Sequence, residues 1–504
     1  LGAKIHLKVR PNPQHAPAGI TGVRPTRVRY LVLVLLCSLA CLTYLDRICI
    51  MRVQGEIERD LDFARLSARD EQTLAAKGLA NDSEARAKLA RDRATERMSW
   101  VFSAFVLGYV LFGLPGGWLA DRFRPRAIIL LIVLWWSLFT ALTGGVRALV
   151  GLGFPHPEPW VLVGAMVLVR FLFGLGEAGA YPNVARALGR WFPFRERGTA
   201  QGAIWLSSRL GGAVAPTIIG SLVGVAGGWQ RAFWILGAAG MLWALLFFLW
   251  FRDRPEEKPS ANQAECALIR AGAAEPESIY QDEAPASVPW AHLFFSPNLL
   301  WLYVASFTAN LSWFFYVTFL PKYLKDQFQV DYSHSEIMTG LPLLAGGLAC
   351  LAGGRLSDLL IRSTGSKRWG RSLQGAIGLG VAAACALAVS RANSPWPVIL
   401  IICIASAFQD LALPALWSAS VDIGGRCAGT VSGCMNSVGA IGAMLSPLVA
   451  AKVAILWNWK AVFAVFAASY FLGALAWLRV DASRPFLTSG PSPHRSEEDK
   501  TQSG

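Results

Sequence analysis

Gly117-Trp-Leu-Ala-Asp121 and Gly354-Arg-Leu-Ser-Asp358 are two copies of one pattern set 237 positions apart, each following a glycine-rich apolar run. A second pair keeps almost the same spacing: Gly198-Thr-x-x-Gly202 followed by Pro216, and Gly429-Thr-x-x-Gly433 followed by Pro447, 231 positions apart. Two independent matches at nearly one offset indicate two halves built on one plan. Two similar bundles around a shared midplane site can rock so that the site opens to either side in turn, the parallel repeat of alternating-access carriers. A receptor or a single-span enzyme has no need of such duplication.

The sequence around these motifs belongs in a bilayer. Of 504 residues, 54% are hydrophobic and only 16% charged, where soluble domains carry roughly 25% charged residues. Apolar blocks of ~20 residues recur along the chain, each long enough to cross a hydrocarbon core of about 30 Å. They predict an all-α membrane protein with twelve spanning helices near 30–51, 98–120, 127–146, 161–187, 199–226, 232–251, 298–320, 337–356, 372–390, 397–420, 428–452 and 461–479. The expected organisation is a cytoplasmic tail (1–29), a six-helix bundle (30–251), a linker (252–297), a second pseudo-symmetric six-helix bundle (298–479) and a C-terminal tail (480–504).

The net charge of +14 does not point to nucleic acid, because the basic residues sit in short clusters between apolar blocks. Arg122, Arg124 and Arg126, then Arg186, Arg190, Arg195 and Arg197, then Arg362, Lys367, Arg368 and Arg371 mark the loops that stay cytoplasmic. Both termini are therefore expected in the cytoplasm. The first 29 residues lack an apolar core, so they read as a tail and not a cleavable signal. The nine cysteines include no C-x-x-C pair, and Cys37, Cys41, Cys49, Cys350, Cys385, Cys403 and Cys434 lie in apolar segments; they read as packing residues, with no metal site.

Two polar stretches interrupt the pattern. Residues 52–97 carry ten basic and ten acidic side chains and favour helix; they read as a solvated external hairpin, with Asn81 and Glu84 as a capping box opening a segment that runs into the second span. Residues 252–297 are rich in Pro, Glu and Ala, a flexible cytoplasmic linker.

Ionisable groups inside spans cost of order 2.5–3.5 kcal/mol each and mark function by default. The first span carries Tyr44, Asp46 and Arg47; the fourth carries Arg170 and Glu177, seven apart and so nearly on one face; the fifth carries Arg209 and the tenth Asp410. Arginine offers a planar fork that matches a carboxylate, so Arg47 is a candidate anion contact. A carboxyl group in a low-dielectric cavity resists ionisation unless a cation holds its charge. Asp46 and Glu177 are accordingly candidate proton carriers, and protonating Glu177 would free Arg170 from its expected partner.

At these residues the chain resembles the anion:cation symporter family of the major facilitator superfamily. The resemblance is carried by Tyr44-Leu-Asp-Arg47; by Phe102-Ser-Ala-Phe105, Gly108-Tyr109 and Pro115-Gly-Gly-Trp-Leu-Ala-Asp-Arg122; by Arg170-Phe-Leu-Phe-Gly-Leu-Gly-Glu-Ala178, Tyr181-Pro182 and Trp191-Phe-Pro-x-x-Glu-Arg-Gly198; and by Gly429-Thr-Val-Ser-Gly433 with Asn436. It implies the major facilitator fold and proton-driven import of sugar acids such as galactonate, glucarate or hexuronates across a bacterial cytoplasmic membrane, by a monomer without a cofactor. By resemblance Asp46 and Glu177 are the proton sites with Arg170 as partner of Glu177, while Arg47, Tyr44, Tyr109 and Asn436 line the pocket. Trp313 and Trp417 are further pocket candidates. Gly117, Asp121, Arg122, Arg126, Gly354 and Asp358 form the gating motif.

The sequence departs from the family at three places. Gly179 stands where Pro is common, Arg124 replaces a usual Gly, and Arg209 adds a cation that either contacts a second anionic group of a dicarboxylate or pairs Asp410. Two other functions fit the same fold: an exporter or proton antiporter of amphipathic compounds, and a transporter-like sensor. The fixed arginines speak against the first and the intact proton-coupling set against the second. An enzyme is not expected, since no catalytic constellation can be assembled at plausible depth.

Overall fold

The computed structural model describes residues 23–154, 158–271, 288–330 and 332–486. Its first six spans are α1 (Val28–Arg52), α2 (Ser83–Arg122), α3 (Pro125–Gly153), α4 (Pro159–Trp191), α5 (Arg197–Ala226) and α6 (Trp229–Trp250). The second six are α7 (Pro297–Thr318), α8 (Tyr332–Thr364), α9 (Lys367–Val389), α10 (Pro395–Gly424), α11 (Ala428–Leu456) and α12 (Trp459–Arg479). Prolines at the first positions of α3, α4, α7 and α10 open those helices where a missing N–H costs nothing.

The two halves repeat one packing scheme. In the first, α1 lies along α5, α2 along α4 and α3 along α6; in the second, α7 lies along α11, α8 along α10 and α9 along α12. The halves meet through two crossed pairs, α2 with α11 and α5 with α8. Glycine makes those approaches possible: a Cβ on Gly117 would run into the Gly429 carbonyl, and one on Gly354 into the Gly198 carbonyl. Outward faces keep exposed leucines such as Leu131, Leu246, Leu348, Leu400 and Leu448, as lipid contact requires.

Two stretches are more ordered than expected. The helix holding the second span begins at Ser83 and runs 40 residues, about 60 Å and far longer than a bilayer core. Its cap is Asp82, not Asn81: the Asp82 carboxylate accepts the N–H groups of Glu84 and Ala85 at 2.9 and 3.1 Å, and an anion there also suits the helix dipole. Two short helices, Gln54–Asp60 and Ala68–Ala76, fold back against α2. Ile57, Leu61 and Phe63 are fully buried in one cluster with Met98 and Val101 of α2 and Met166 of α4. The insertion is thus a docked cap with its own apolar anchor, not a solvated hairpin.

The expected flexible linker is in part pinned. A helix at Gln263–Ala271 places Glu265, fully buried, at the start of α1, where it accepts the main-chain N–H groups of Val28 and Arg29 at 3.2 Å each and pairs the Arg29 guanidinium at 3.0 Å. Residues 272–287 of that linker, and the outer parts of both tails, lie outside the described residues.

Candidate functional site

The repeated motifs meet each other crosswise. Asp121, at the end of α2, accepts the N–H groups of Gly429 and Thr430 at 2.9 and 2.6 Å and the Thr430 hydroxyl at 2.7 Å. Asp358, on α8, accepts the N–H groups of Gly198 and Thr199 at 3.0 and 2.7 Å and the Thr199 hydroxyl at 2.8 Å. Each half therefore presents a buried carboxylate to the N-terminus of a helix in the other, where free N–H groups and the helix dipole favour an anion. Arg186 backs Asp121 at 3.3 Å, while Arg371 lies 3.5 Å from Asp358 and 3.4 Å from Asp422, which Arg197 also pairs at 3.2 Å. These contacts close one end of the interface.

Of the expected gating residues, Gly117, Asp121, Gly354 and Asp358 lie in this closure. Arg122 is exposed, and Arg126 turns back into its own half, donating to the Phe248 carbonyl at the end of α6 and, through its main chain, to Asp253. Arg126 lies in the first turn of α3, which packs along α6 of its own half. Arg186, Arg197, Arg371 and Asp422 were not among the sequence candidates; they lie at helix ends, where basic residues are also expected for topology alone.

The charged set sits further in. Asp46, Arg170 and Glu177 are buried, and Arg47 keeps about a fifth of its side chain exposed. Asp46 lies within electrostatic reach of both Glu177 and Arg170. The helices thus bring all four residues to one place, facing protein and not lipid. One expected pairing is corrected: Glu177 is held by Arg47, whose Nε donates to Oε1 at 3.0 Å alongside Nη2, and not by Arg170. Side chains on a helix lean toward its N-terminus, so Arg170 leans away from a residue two turns C-terminal to it, while α1 presents Arg47 directly opposite. Arg170 instead lies over the Phe173 and Phe105 rings at 4.3 and 5.3 Å. Its Nε and Nη1, and the Glu177 Oε2, have no hydrogen-bond partner among the described residues.

Local sequence explains why Glu177 stands where it does. Pro182 lacks the N–H that would reach Ala178, so α4 loosens at Ala178–Gly179 immediately after Glu177. Gly116 of α2 permits the close approach to this point: a Cβ there would stand 2.8 Å from the Gly179 Cα.

The remaining candidates surround this set. Arg47 lies over the rings of Tyr44 and Tyr109 at 5.1 and 5.0 Å. Asn436 of α11 donates to the Tyr109 hydroxyl at 3.1 Å, across the two halves. Arg209 pairs Asp410 of α10, again across the halves, with Nε and Nη2 each 3.1 Å from a carboxylate oxygen. Its Nη1 also reaches the Tyr44 hydroxyl at 3.3 Å, and Trp313 lies 4.1 Å beneath it. Trp417 packs in a cluster with Trp205 and Tyr181, the last two stacked at 4.7 Å. Tyr181 bonds Ser208 at 2.9 Å; Trp205 and Ser208 carry no charge or motif that singles them out in sequence.

Two matched six-helix halves, closed crosswise at one end and enclosing buried arginines and carboxylates, define a multi-pass membrane transporter and not an enzyme. The chain belongs to the Major Facilitator Superfamily, whose sequence model matches residues 89–447. It is similar to a probable sulfoacetate transporter of Cupriavidus necator, 33% identical over 356 residues that cover 70% of this chain and 78% of the relative. It is also similar to a probable galactarate/D-glucarate transporter of Bacillus subtilis, 29% identical over 400 residues covering 78% and 82%. In fold it resembles the E. coli fucose:proton symporter FucP; a structure of FucP in the outward conformation gives a TM-score of 0.64 at 14% identity, covering 90% of this chain and 99% of that one.

Proposed function

We propose that this protein imports a small organic anion, a sugar acid or related carboxylate or sulfonate, by proton symport through alternating access. The observation that carries the reading is the state of Glu177. One of its oxygens is bound by Arg47 and the other has no partner among the described residues, so a proton arriving there neutralises the anion that occupies Arg47. Released, the Arg47 guanidinium, between Tyr44 and Tyr109, is ready for a substrate carboxylate. Proton and anion then load together because each removes the obstacle to the other. Asp46 is the second proton site, and Arg170, within electrostatic reach of it, offsets its charge when it is ionised. No cofactor is needed beyond the proton gradient.

The closed end supports loading from outside. It carries Arg122, Arg124, Arg186, Arg197 and Arg371, which the positive-inside tendency assigns to the cytoplasm with both termini. Loading then occurs from the outer face of a bacterial cytoplasmic membrane, with the monomer as the transporting unit. The substrates for which the relatives are named, sulfoacetate and galactarate or glucarate, fit the same chemistry. The test is uptake by proteoliposomes under an inward proton gradient. Glu177→Gln abolishes gradient-driven accumulation while leaving counterflow exchange; retention of gradient-driven accumulation by that variant would sink the coupling role.

A further inference from the structure

Arg209 and Asp410 form a second arginine–carboxylate pair beside the first, and the mechanism so far does not use it. The two pairs are built alike. Arg47 grips Glu177 and Arg209 grips Asp410, each through two guanidinium nitrogens. A single phenol joins them: Tyr44 has its ring 5.1 Å from the Arg47 guanidinium and its hydroxyl 3.3 Å from the Arg209 Nη1. The first pair belongs to one half of the molecule, whereas the second bridges the two halves from α5 to α10.

The surroundings hold Arg209 rigidly. Trp313 of α7 lies under the guanidinium at 4.1 Å. Gly346 and Gly347 let α8 press onto the pair: a Cβ on Gly347 would lie 3.0 Å from the Arg209 Cβ, and one on Gly346 2.9 Å from the Ser406 hydroxyl and closer still to the Asp410 carboxylate. A purely structural ion pair at mid-depth gains little over well-packed apolar residues. Here it stands one tyrosine away from the anion contact: its fork of Nε and Nη2 is taken by Asp410, and its remaining nitrogen, Nη1, donates to the Tyr44 hydroxyl.

We infer that Arg209 is a specificity-determining contact and that the carrier selects acids with two anionic ends. This rests on the organic-anion reading above and names the class of anion. One end takes Arg47 as Glu177 is neutralised; the other takes Arg209, displacing Asp410. Glu177 and Asp410 are thus resident counter-ions occupying the positions of the substrate's two acid groups. Losing Asp410 from Arg209 also unties the halves at mid-depth, so a two-headed anion, and not a one-headed one, relieves the tie between α5 and α10.

The test uses the full chain purified in detergent and a panel of probes in matched pairs, each a mono-acid and the diacid of the same carbon skeleton, with gluconate and glucarate as the six-carbon pair. Affinity is read from ligand-induced thermal stabilisation, which does not depend on transport. The unmodified protein binds the diacid of the preferred pair at least about tenfold more tightly than its mono-acid. The Arg209→Gln/Asp410→Asn double variant, which removes both charges and leaves no lone buried ion, reduces that ratio to near one. Equal binding of mono-acid and diacid by the unmodified protein overturns the inference, as does a diacid preference that survives in the double variant. If the preference is present and lost as described but the bound diacid is not accumulated under a proton gradient, the symport reading fails and the specificity assignment stands.

Discussion

Asp121 holds Thr430 by both its main-chain N–H, at 2.6 Å, and its hydroxyl, at 2.7 Å, so a carboxylate of the first half caps a helix of the second. Asp358 does the same to Thr199 in the opposite sense. Hydrogen bonds to a charged group contribute about 1.5–3 kcal/mol each, so under the proposed alternating access the pair favours closure at this end. Asp121→Ala is expected to shift the population toward the state open at this end by at least tenfold, and Thr430→Ala by less, since the main-chain bond survives. Spin-label distances across the ends of α2 and α11 measure the shift. An unchanged distance distribution in Asp121→Ala means the capping does not control the gate.

Gly117 approaches the Gly429 carbonyl too closely to admit a Cβ. Gly117→Ala therefore acts without touching a charge: it keeps the same end from closing by sterics alone. Uptake is expected to fall severely while the fold persists, because the halves pack independently away from this contact. The check is the rate of labelling of a cysteine introduced at Val421, which is buried at this closure against Gly189 of the other half and is labelled faster if this end stays open.

How much of this was legible in the sequence depends on the length scale of the cause. The twelve spans and their duplication follow from hydropathy and spacing, which are local or periodic properties. The four residues of the charged set were legible because ionisable groups in apolar runs are costly wherever the chain goes. Their pairing was not. Arg170 and Glu177 share a helix and a face, yet Glu177 is bound from α1, because which guanidinium reaches it depends on how α1 and α4 pack. The crosswise capping of Asp121 on Gly429 and Thr430 was hidden for the same reason: both motifs were visible, but that each half's Asp serves the other half's helix is a property of the assembled fold. The insertion misled through its charge balance. Its few apolar residues, Ile57, Leu61 and Phe63, decide its docking, and against ten charges of each sign they carry little weight in a composition count.

Arg47 meets Glu177 with two nitrogens on one oxygen, a fork that lysine cannot reproduce. Arg47→Lys is thus not conservative here. Transport affinity for the anion is expected to fall at least tenfold, about 1.4 kcal/mol, with folding intact because a cation still accompanies Glu177. The apparent KM for uptake and the melting temperature, measured together, separate the two effects. A lowered melting temperature with an unchanged KM would assign Arg47 to stability alone.

The cap formed by the insertion carries its own pH dependence. Burial alone would lift the Asp70 carboxyl, but the Ser67 main-chain and side-chain donors, with Arg93, hold it below its ordinary value. A carboxyl lowered on folding adds stability above its unfolded value of about 3.9 and loses it as pH falls through the folded value. The cap at residues 65–97 is therefore expected to be indifferent between pH 5 and 7 and to loosen below about pH 4. Arg93 is more than a third exposed, so its share is screened, and Asp70→Ala should cost about 1 kcal/mol, chiefly through the capping box. Hydrogen exchange of Ala68–Ala76 against pH reads it directly; loosening already at pH 6 would point to a different group.

Charge balance at mid-depth gives the last expectation. Asp46, Glu177 and Asp410 offset Arg47, Arg170 and Arg209, so the empty site is neutral with all six ionised. With protons on Asp46 and Glu177, a mono-acid crosses with one net positive charge and a diacid with none. An inside-negative potential of 100 mV contributes about 2.3 kcal/mol per charge, roughly fiftyfold in accumulation. Imposing that potential on proteoliposomes should therefore raise mono-acid accumulation and leave diacid accumulation unchanged. Asp46→Asn removes one proton, so in that variant mono-acid uptake becomes indifferent to potential and diacid uptake is opposed by it. Diacid uptake that is stimulated by potential in the unmodified protein requires a third proton, and Asp410, stripped of Arg209 by the substrate, is the remaining carboxylate of the set able to carry it.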